Sequence, residues 1–208
     1  MDFQYYGANC VRISNKKVNI VLDDNSAMAN GLASIATKED IVIFTSQKGY
    51  TGDARFMIEG PGEYEIAEVS VRGIPTKAHL DADGQRATIY SIHANGFSIG
   101  VLGHIYPSLT DEQLEELGII DVLIVPVGGN GYTLDATGAS KLIKQIDPKI
   151  VIPTHYNDSG ISYEVPQADL DLFLAEMGTA DTESIDVLKL KESDLGDKTQ
   201  VIVLNRTK

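Results

Sequence analysis

Three of the four histidines in this 208-residue chain stand just past apolar runs that read as strands. His79 follows the run ending at Ile74, His104 the run ending at Leu102, and His155 the run ending at Ile152. Neutral imidazole is a common ligand for a divalent ion, and three imidazoles on one zinc leave a fourth position for an activated water, the layout of a hydrolytic site. Rigid strands hold the loops at their ends in place, which is why layered α/β proteins collect ligand groups there. His93 falls inside a strand without a partner at ligand spacing and reads as structural. Cys10 reads as a small core residue rather than a nucleophile. No P-loop or dinucleotide fingerprint occurs, so those routes to phosphoryl or hydride transfer have no support.

The elements that must position these residues come in two textures. Before about Gly103, short β-rich runs bounded by Asn, Asp, Gly and Lys predict strands at 11–13, 18–22, 41–44, 69–74, 89–92 and 97–102. Asn95-Gly96 predicts a type I′ hairpin, because that turn needs positive φ at both central residues. This half is expected to be mostly antiparallel sheet, with Gly60-Pro61-Gly62 as a tight turn and Glu63 on the surface. Farther on, Thr110 and Gln113 form a capping box for a helix through Leu117. An apolar strand over 121–125, a helix over 135–146 and a strand over 149–152 follow. Leu170, Phe173, Leu174 and Met177 lie at helical spacing with Gly178 as the stop, and two closing strands are expected over 185–190 and 200–204. Thr133 or Asp135 caps the second of these helices, and Gly128-Gly129 reads as turn chemistry that could shape a site's floor. With no linker or repeat signal, one domain over 1–208 is expected, with helices packed outside sheets.

Composition narrows the partners. Thirty acidic against seventeen basic residues give a net charge of -13, which repels nucleic-acid backbones and anionic membrane surfaces. The acidic surplus at 111–112, 115–116 and 169–171 falls on helix faces and reads as solvated surface. A lone cysteine excludes an internal disulfide, and no apolar run is long enough to span a bilayer. A soluble cytoplasmic protein that binds a small molecule or a protein partner is the expectation.

Several stretches resemble the metallo-β-lactamase superfamily, in particular its small bacterial, ascorbate-6-phosphate lactonase-like branch of metal-dependent hydrolases. They are Tyr5-Tyr-Gly-Ala-Asn-Cys-Val-Arg-Ile13, Gly60-Pro-Gly-Glu-Tyr-Glu-Ile66, Asp121-Val-Leu-Ile-Val-Pro-Val-Gly-Gly129 with Tyr132-Thr-Leu-Asp135, and Ile150-Val-Ile-Pro-Thr-His-Tyr156. The resemblance runs from residue 3 to about 157 in the family's order. It implies a four-layer αββα sandwich of α/β class, with a site at one edge of the two sheets holding two zinc ions and an activated water.

Most ligands of such a site come from an HxHxDH loop after an early strand. Here that loop reads Thr45-Ser-Gln-Lys-Gly-Tyr-Thr-Gly-Asp53. Ser46, Lys48 and Thr51 stand at the histidine positions and Tyr50 at the aspartate position, while Asp53 lies beyond the motif. His79 and His155 match family histidines, and His104 replaces the bridging aspartate. Tyr132 and Thr133 are placed to line the pocket.

Two readings follow from these matches. In one, the site is degenerate and the fold survives as a pseudoenzyme or binding module without a metal. Lys48 then fills a former cation position; beside a retained ion an inward ammonium would cost about 4 kcal/mol per unit charge at 4 Å and an effective dielectric of 20. In the other, His79, His104 and His155 hold one divalent ion, with zinc expected, and hydrolyse a small ester, lactone or phosphometabolite. Metal-free acid–base chemistry by Lys48 and Tyr50 is a third, lesser route.

Overall fold

The computed structural model describes residues 1–24, 32–45, 52–79 and 86–207. Two sheets stack face to face. The first has six strands: β1 (Asp2–Gly7), β2 (Cys10–Ser14), β3 (Asn19–Leu22), β4 (Ile41–Ile43), β5 (Phe56–Ile58) and, from the end of the chain, β13 (Leu188–Lys189). Their order is β13-β1-β2-β3-β4-β5. The second has seven: β6 (Gly62–Ile66), β7 (Val69–Lys77), β8 (Arg86–Ala94), β9 (Phe97–Val101), β10 (Val122–Pro126), β11 (Ile150–Thr154) and β14 (Gln200–Val201). Their order is β14-β11-β10-β9-β8-β7-β6. A small pair, β12 (Ser184–Ile185) with β15 (Val203–Leu204), lies apart.

The inner faces interdigitate. Alternation along β1 buries Phe3 and Tyr5, which join Ile13, Ile20 and Ile43 from the first sheet and Tyr90, Ile99, Ile124 and Ile152 from the second in one apolar cluster. The helices α1 (Asp111–Leu117), α2 (Ala136–Ile146) and α3 (Leu170–Glu176) pack on the outer face of the seven-stranded sheet, where Leu142, Ile143, Phe173 and Leu174 meet Leu123, Val125 and Val151. Sandwiched between helices and the other sheet, β10 and β11 are buried at every residue. On the far side, Cys10, Val21, Val42 and Phe44 pack against Leu32, Ile35 and Ala36.

The local signals act where they were expected. Asn95 and Gly96 take φ values of 52° and 81° between β8 and β9. Thr110 and Gln113 close a reciprocal capping box, and the Asp135 carboxylate accepts from Gly138 N at 2.7 Å. The first half is mostly antiparallel, as expected. Within it β3, β4 and β5 run parallel; the long 23–40 and 44–55 connections leave room for crossovers that a tight hairpin would not. Two expectations are corrected. Gly62 opens a strand rather than completing a turn, with Glu63 exposed on β6 and paired to Arg72 at 2.9 Å. The two closing strands each split, so that β13 joins β1, β14 joins β11, and β12 pairs with β15.

Candidate functional site

His155 begins the loop after β11. Its backbone takes a φ of 53°, which is costly for a residue with a Cβ, and its N–H is tied to the Ala8 carbonyl in the β1–β2 turn at 2.8 Å. Gly128, just past β10, makes room for this bend. A Cβ there would be driven into the His155 carbonyl oxygen and the Gln167 side chain. His104 follows β9 through Gly103, whose φ is 61° and whose Cα sits against Thr45. His79 follows β7, and its backbone N–H donates to the His104 carbonyl at 3.1 Å. An adjoining bridge between Ala78 and Ile105 holds these two segments together.

His104 and His155 meet through their Nε2 atoms at 3.3 Å, and the partners of the other ring nitrogens set the direction of that contact. Gln167 donates its amide nitrogen to the Val165 carbonyl at 2.6 Å, so its Oε1 is the atom facing His155 Nδ1 at 3.1 Å. A carbonyl oxygen only accepts, so His155 carries its proton on Nδ1 and presents a lone pair at Nε2. At the other end Thr154 Oγ1 donates to Asn9 Oδ1 at 3.1 Å, and the Asn9 amide nitrogen donates to His104 Nδ1 at 3.2 Å. His104 is then protonated on Nε2 and donates to His155. The relay therefore runs from Thr154 through Asn9, His104 and His155 to Gln167. Asn9, Thr154, His155 and Gln167 are all buried.

The relay has a second arrangement. A hydroxyl can donate or accept, so turning over the Asn9 amide keeps its bond to Thr154 while making His104 Nδ1 the donor. Both Nε2 atoms would then carry lone pairs. With zinc–nitrogen bonds of about 2.0–2.1 Å, the edge of a tetrahedral site is about 3.3 Å long, matching the observed spacing. The pair therefore fits two ligands of one ion. A resident catalytic zinc takes three protein ligands. Among the described residues no three His, Cys, Asp or Glu side chains stand together as a metal-binding group, so these residues do not fit the two-ion centre that the resemblance implies. His79 Nδ1 is buried with no hydrogen-bond partner among the described residues.

The structure therefore brings together two of the three strand-end histidines by side chain and the third by backbone. Tyr132 stacks edge-on against His104 with ring centroids 4.7 Å apart, and Tyr163 lies 5.1 Å from His155. Thr133 is a buried brace, accepting from Gly129 N at 2.9 Å, and Asp135 is the cap of α2. His93 faces solvent on β8, bonded to Ser98 Oγ at 3.0 Å. Asp53 is exposed, 3.9 Å from Lys38 Nζ. Ser46, Lys48, Tyr50 and Thr51 lie outside the described residues. Sequence reasoning passed over Asn9 and Gln167. Asn9 sits within the first matched stretch, a signal that could have found it; Gln167 lies just after Pro166 with no motif to mark it.

Burial shapes the surroundings. Desolvation, with the nearby Asp24 and Asp23 charges, pushes the Cys10 thiol up, which keeps it protonated and inert. Asp23 accepts from Thr45 N at 2.8 Å and from Thr45 Oγ1 at 2.7 Å, bracing the residue where the 46–51 segment departs. Tyr156 is pushed up to about 12 by burial and by the Asp158 carboxylate.

Comparison with known proteins agrees with this architecture. A family model for the beta-lactamase superfamily domain matches residues 2–155. A UPF0173 metal-dependent hydrolase of Pyrococcus furiosus is 29% identical over 130 residues, 60% of this chain and 56% of that protein. One from Carboxydothermus hydrogenoformans is 31% identical over 103 residues, 46% of this chain and 45% of that protein. The match thus spans about half the length of these curated relatives. Among solved structures, a metallo-beta-lactamase superfamily protein of Thermotoga maritima superposes with a TM-score of 0.75 at 24% identity, covering 98% of each chain. The metallo hydrolase Igni18 of Ignicoccus hospitalis gives 0.63 at 21% identity, covering 91% of this chain and 99% of that one. With the family model spanning residues 2–155 and the two stacked sheets in place, this chain belongs to the beta-lactamase superfamily, where its curated relatives are named metal-dependent hydrolases.

Proposed function

We propose that this chain keeps the superfamily sandwich as a binding module for a small molecule or protein partner, and that its two-ion zinc chemistry has been lost. The supporting observation is the relay from Thr154 to Gln167, in which protein groups engage all the ring nitrogens of His104 and His155. The sequence adds Ser46, Lys48, Tyr50 and Thr51 at the positions where the family carries its main ligands. Hydrogen bonds, rather than an ion, then hold the histidine pair. The test is metal analysis of tag-free protein grown with added zinc, together with turnover of ester, lactone and phosphoester panels. Substoichiometric metal and no turnover are expected. Turnover that is lost with chelator and restored by zinc would overturn the proposal.

A second reading is favoured by the 3.3 Å spacing and by His79 Nδ1, a buried nitrogen without a hydrogen-bond partner among the described residues. In it, His79, His104 and His155 hold one divalent ion, zinc by ligand type, and the chain is a metal-dependent hydrolase as its curated relatives are named. This reading requires a rotation of the His79 side chain and the turned-over Asn9 amide. It predicts one ion per chain, lost on His104→Ala.

A further inference from the structure

We propose that two copies of this chain pair edge to edge through β5, antiparallel about Met57. β5 ends the six-stranded sheet, with β4 on one side and no strand on the other among the described residues. Ile58 turns its carbonyl toward β4, where it accepts from Phe44 N at 2.9 Å. Backbone groups of successive residues in a strand alternate in direction, so the Met57 N–H and carbonyl point away from the sheet. A two-fold axis beside Met57 lets each copy's Met57 N–H donate to the other's Met57 carbonyl, forming the closely spaced pair of an antiparallel ladder. Arg55 gives its own N–H to the Asp40 carbonyl at 2.9 Å, so the flanking positions contribute mainly through side chains.

Those side chains are self-complementary in this register. Residue 55 of one copy faces residue 59 of the other, and 56 faces 58. Arg55 therefore meets Glu59 twice by symmetry. Both are exposed, and neither forms an ion pair with another described residue. Opposite charges directly across a strand pair stabilise it, whereas like charges do the reverse. Phe56 and Met57, 42% and 46% exposed, supply apolar surface beside the seam. The neighbouring edge is closed to such pairing, because β6 exposes Glu63 and Glu65 along its length and charged edges resist strand addition. The two copies also repel through a net charge of -13, so the dimer is weak. Its contact falls below the size of standard permanent interfaces.

Sedimentation velocity of the full chain from micromolar to submillimolar concentration tests this. A concentration-dependent dimer is expected. Arg55→Glu or Glu59→Arg alone should weaken association about tenfold or more, and the Arg55→Glu/Glu59→Arg double variant should restore it, because the swapped charges again face their opposites. Met57→Pro, which removes the outward donor, should abolish it. Circular dichroism and thermal melting check that each variant folds, and the double variant keeps the test decisive if a single one does not. A chain that stays monomeric throughout, or a dimer indifferent to the charge swaps, overturns the proposal.

Discussion

Gln167 Oε1 stands 3.1 Å from His155 Nδ1, while the same side chain gives its amide nitrogen to the Val165 carbonyl at 2.6 Å. One glutamine, unable to turn over without losing a buried bond, decides which nitrogen of His155 carries the proton. Everything downstream in the relay follows from that choice. With His155 Nε2 a lone pair, His104 either donates to it or shares an ion with it, and the Asn9 amide selects between the two.

Asn9→Asp should move the pair toward the ion-binding state. A carboxylate accepts only, so it favours the proton on His104 Nδ1 and leaves Nε2 free. Groups that orient ligand imidazoles typically change metal affinity by about 10- to 100-fold, and an increase of that size is expected in a zinc or cobalt titration followed by calorimetry. Unchanged affinity would show that Asn9 does not govern His104.

Gln167→Leu should destabilise the fold. The His155 Nδ1–H would remain buried without an acceptor, at a cost of about 1–3 kcal/mol in urea denaturation. Gln167→Glu keeps the acceptor and should cost less than Gln167→Leu.

Gly128→Ala tests the bend that places His155. The new methyl would meet a backbone carbonyl oxygen, which cannot swing aside as a flexible side chain can. A loss of about 1–3 kcal/mol is expected by thermal or denaturant unfolding. Gly118→Ala probes the conformational cost alone, since open space surrounds that glycine at a φ of 72°.

Arg12→Met should be among the more damaging changes outside the site. Asp40 is fully buried and accepts from Arg12 at 2.8 Å and from Thr37 N at 2.8 Å. Removing the guanidinium leaves a buried carboxylate without its counter-charge, at a cost of about 3–5 kcal/mol. Equilibrium unfolding of Arg12→Met measures this directly.

Alkaline pH should weaken the fold from about pH 10 upward. Burial raises Tyr5, Tyr90, Tyr156 and Tyr163, with Tyr156 at about 12. Unfolded tyrosines lose their protons near pH 10, so above that pH the unfolded state binds fewer protons than the folded one and stability falls. The contribution is whole below pH 10 and for Tyr156 declines through about 12. Tyrosinate absorbance should show delayed ionisation of these four until unfolding releases them together. Ionisation of all nine tyrosines near pH 10 in folded protein would contradict it.

The amino-acid sequence by itself determined the features that depend on neighbours a few residues apart. The Asn95-Gly96 hairpin, the Thr110–Gln113 capping box, the Asp135 cap and the apolar runs of β10 and β11 all rest on local backbone geometry, and each appears where the residues required it. The superfamily resemblance likewise lay in contiguous stretches. Only the tertiary structure decided that β3, β4 and β5 run parallel, that the closing strands divide between sheets, and that Asn9 and Gln167 orient the histidines. Asn9 and His104 are 95 residues apart in the chain, yet the bond between them selects the tautomer of His104. No periodicity encodes such a pairing, because it exists only once the β1–β2 turn packs against the ends of β9 and β11.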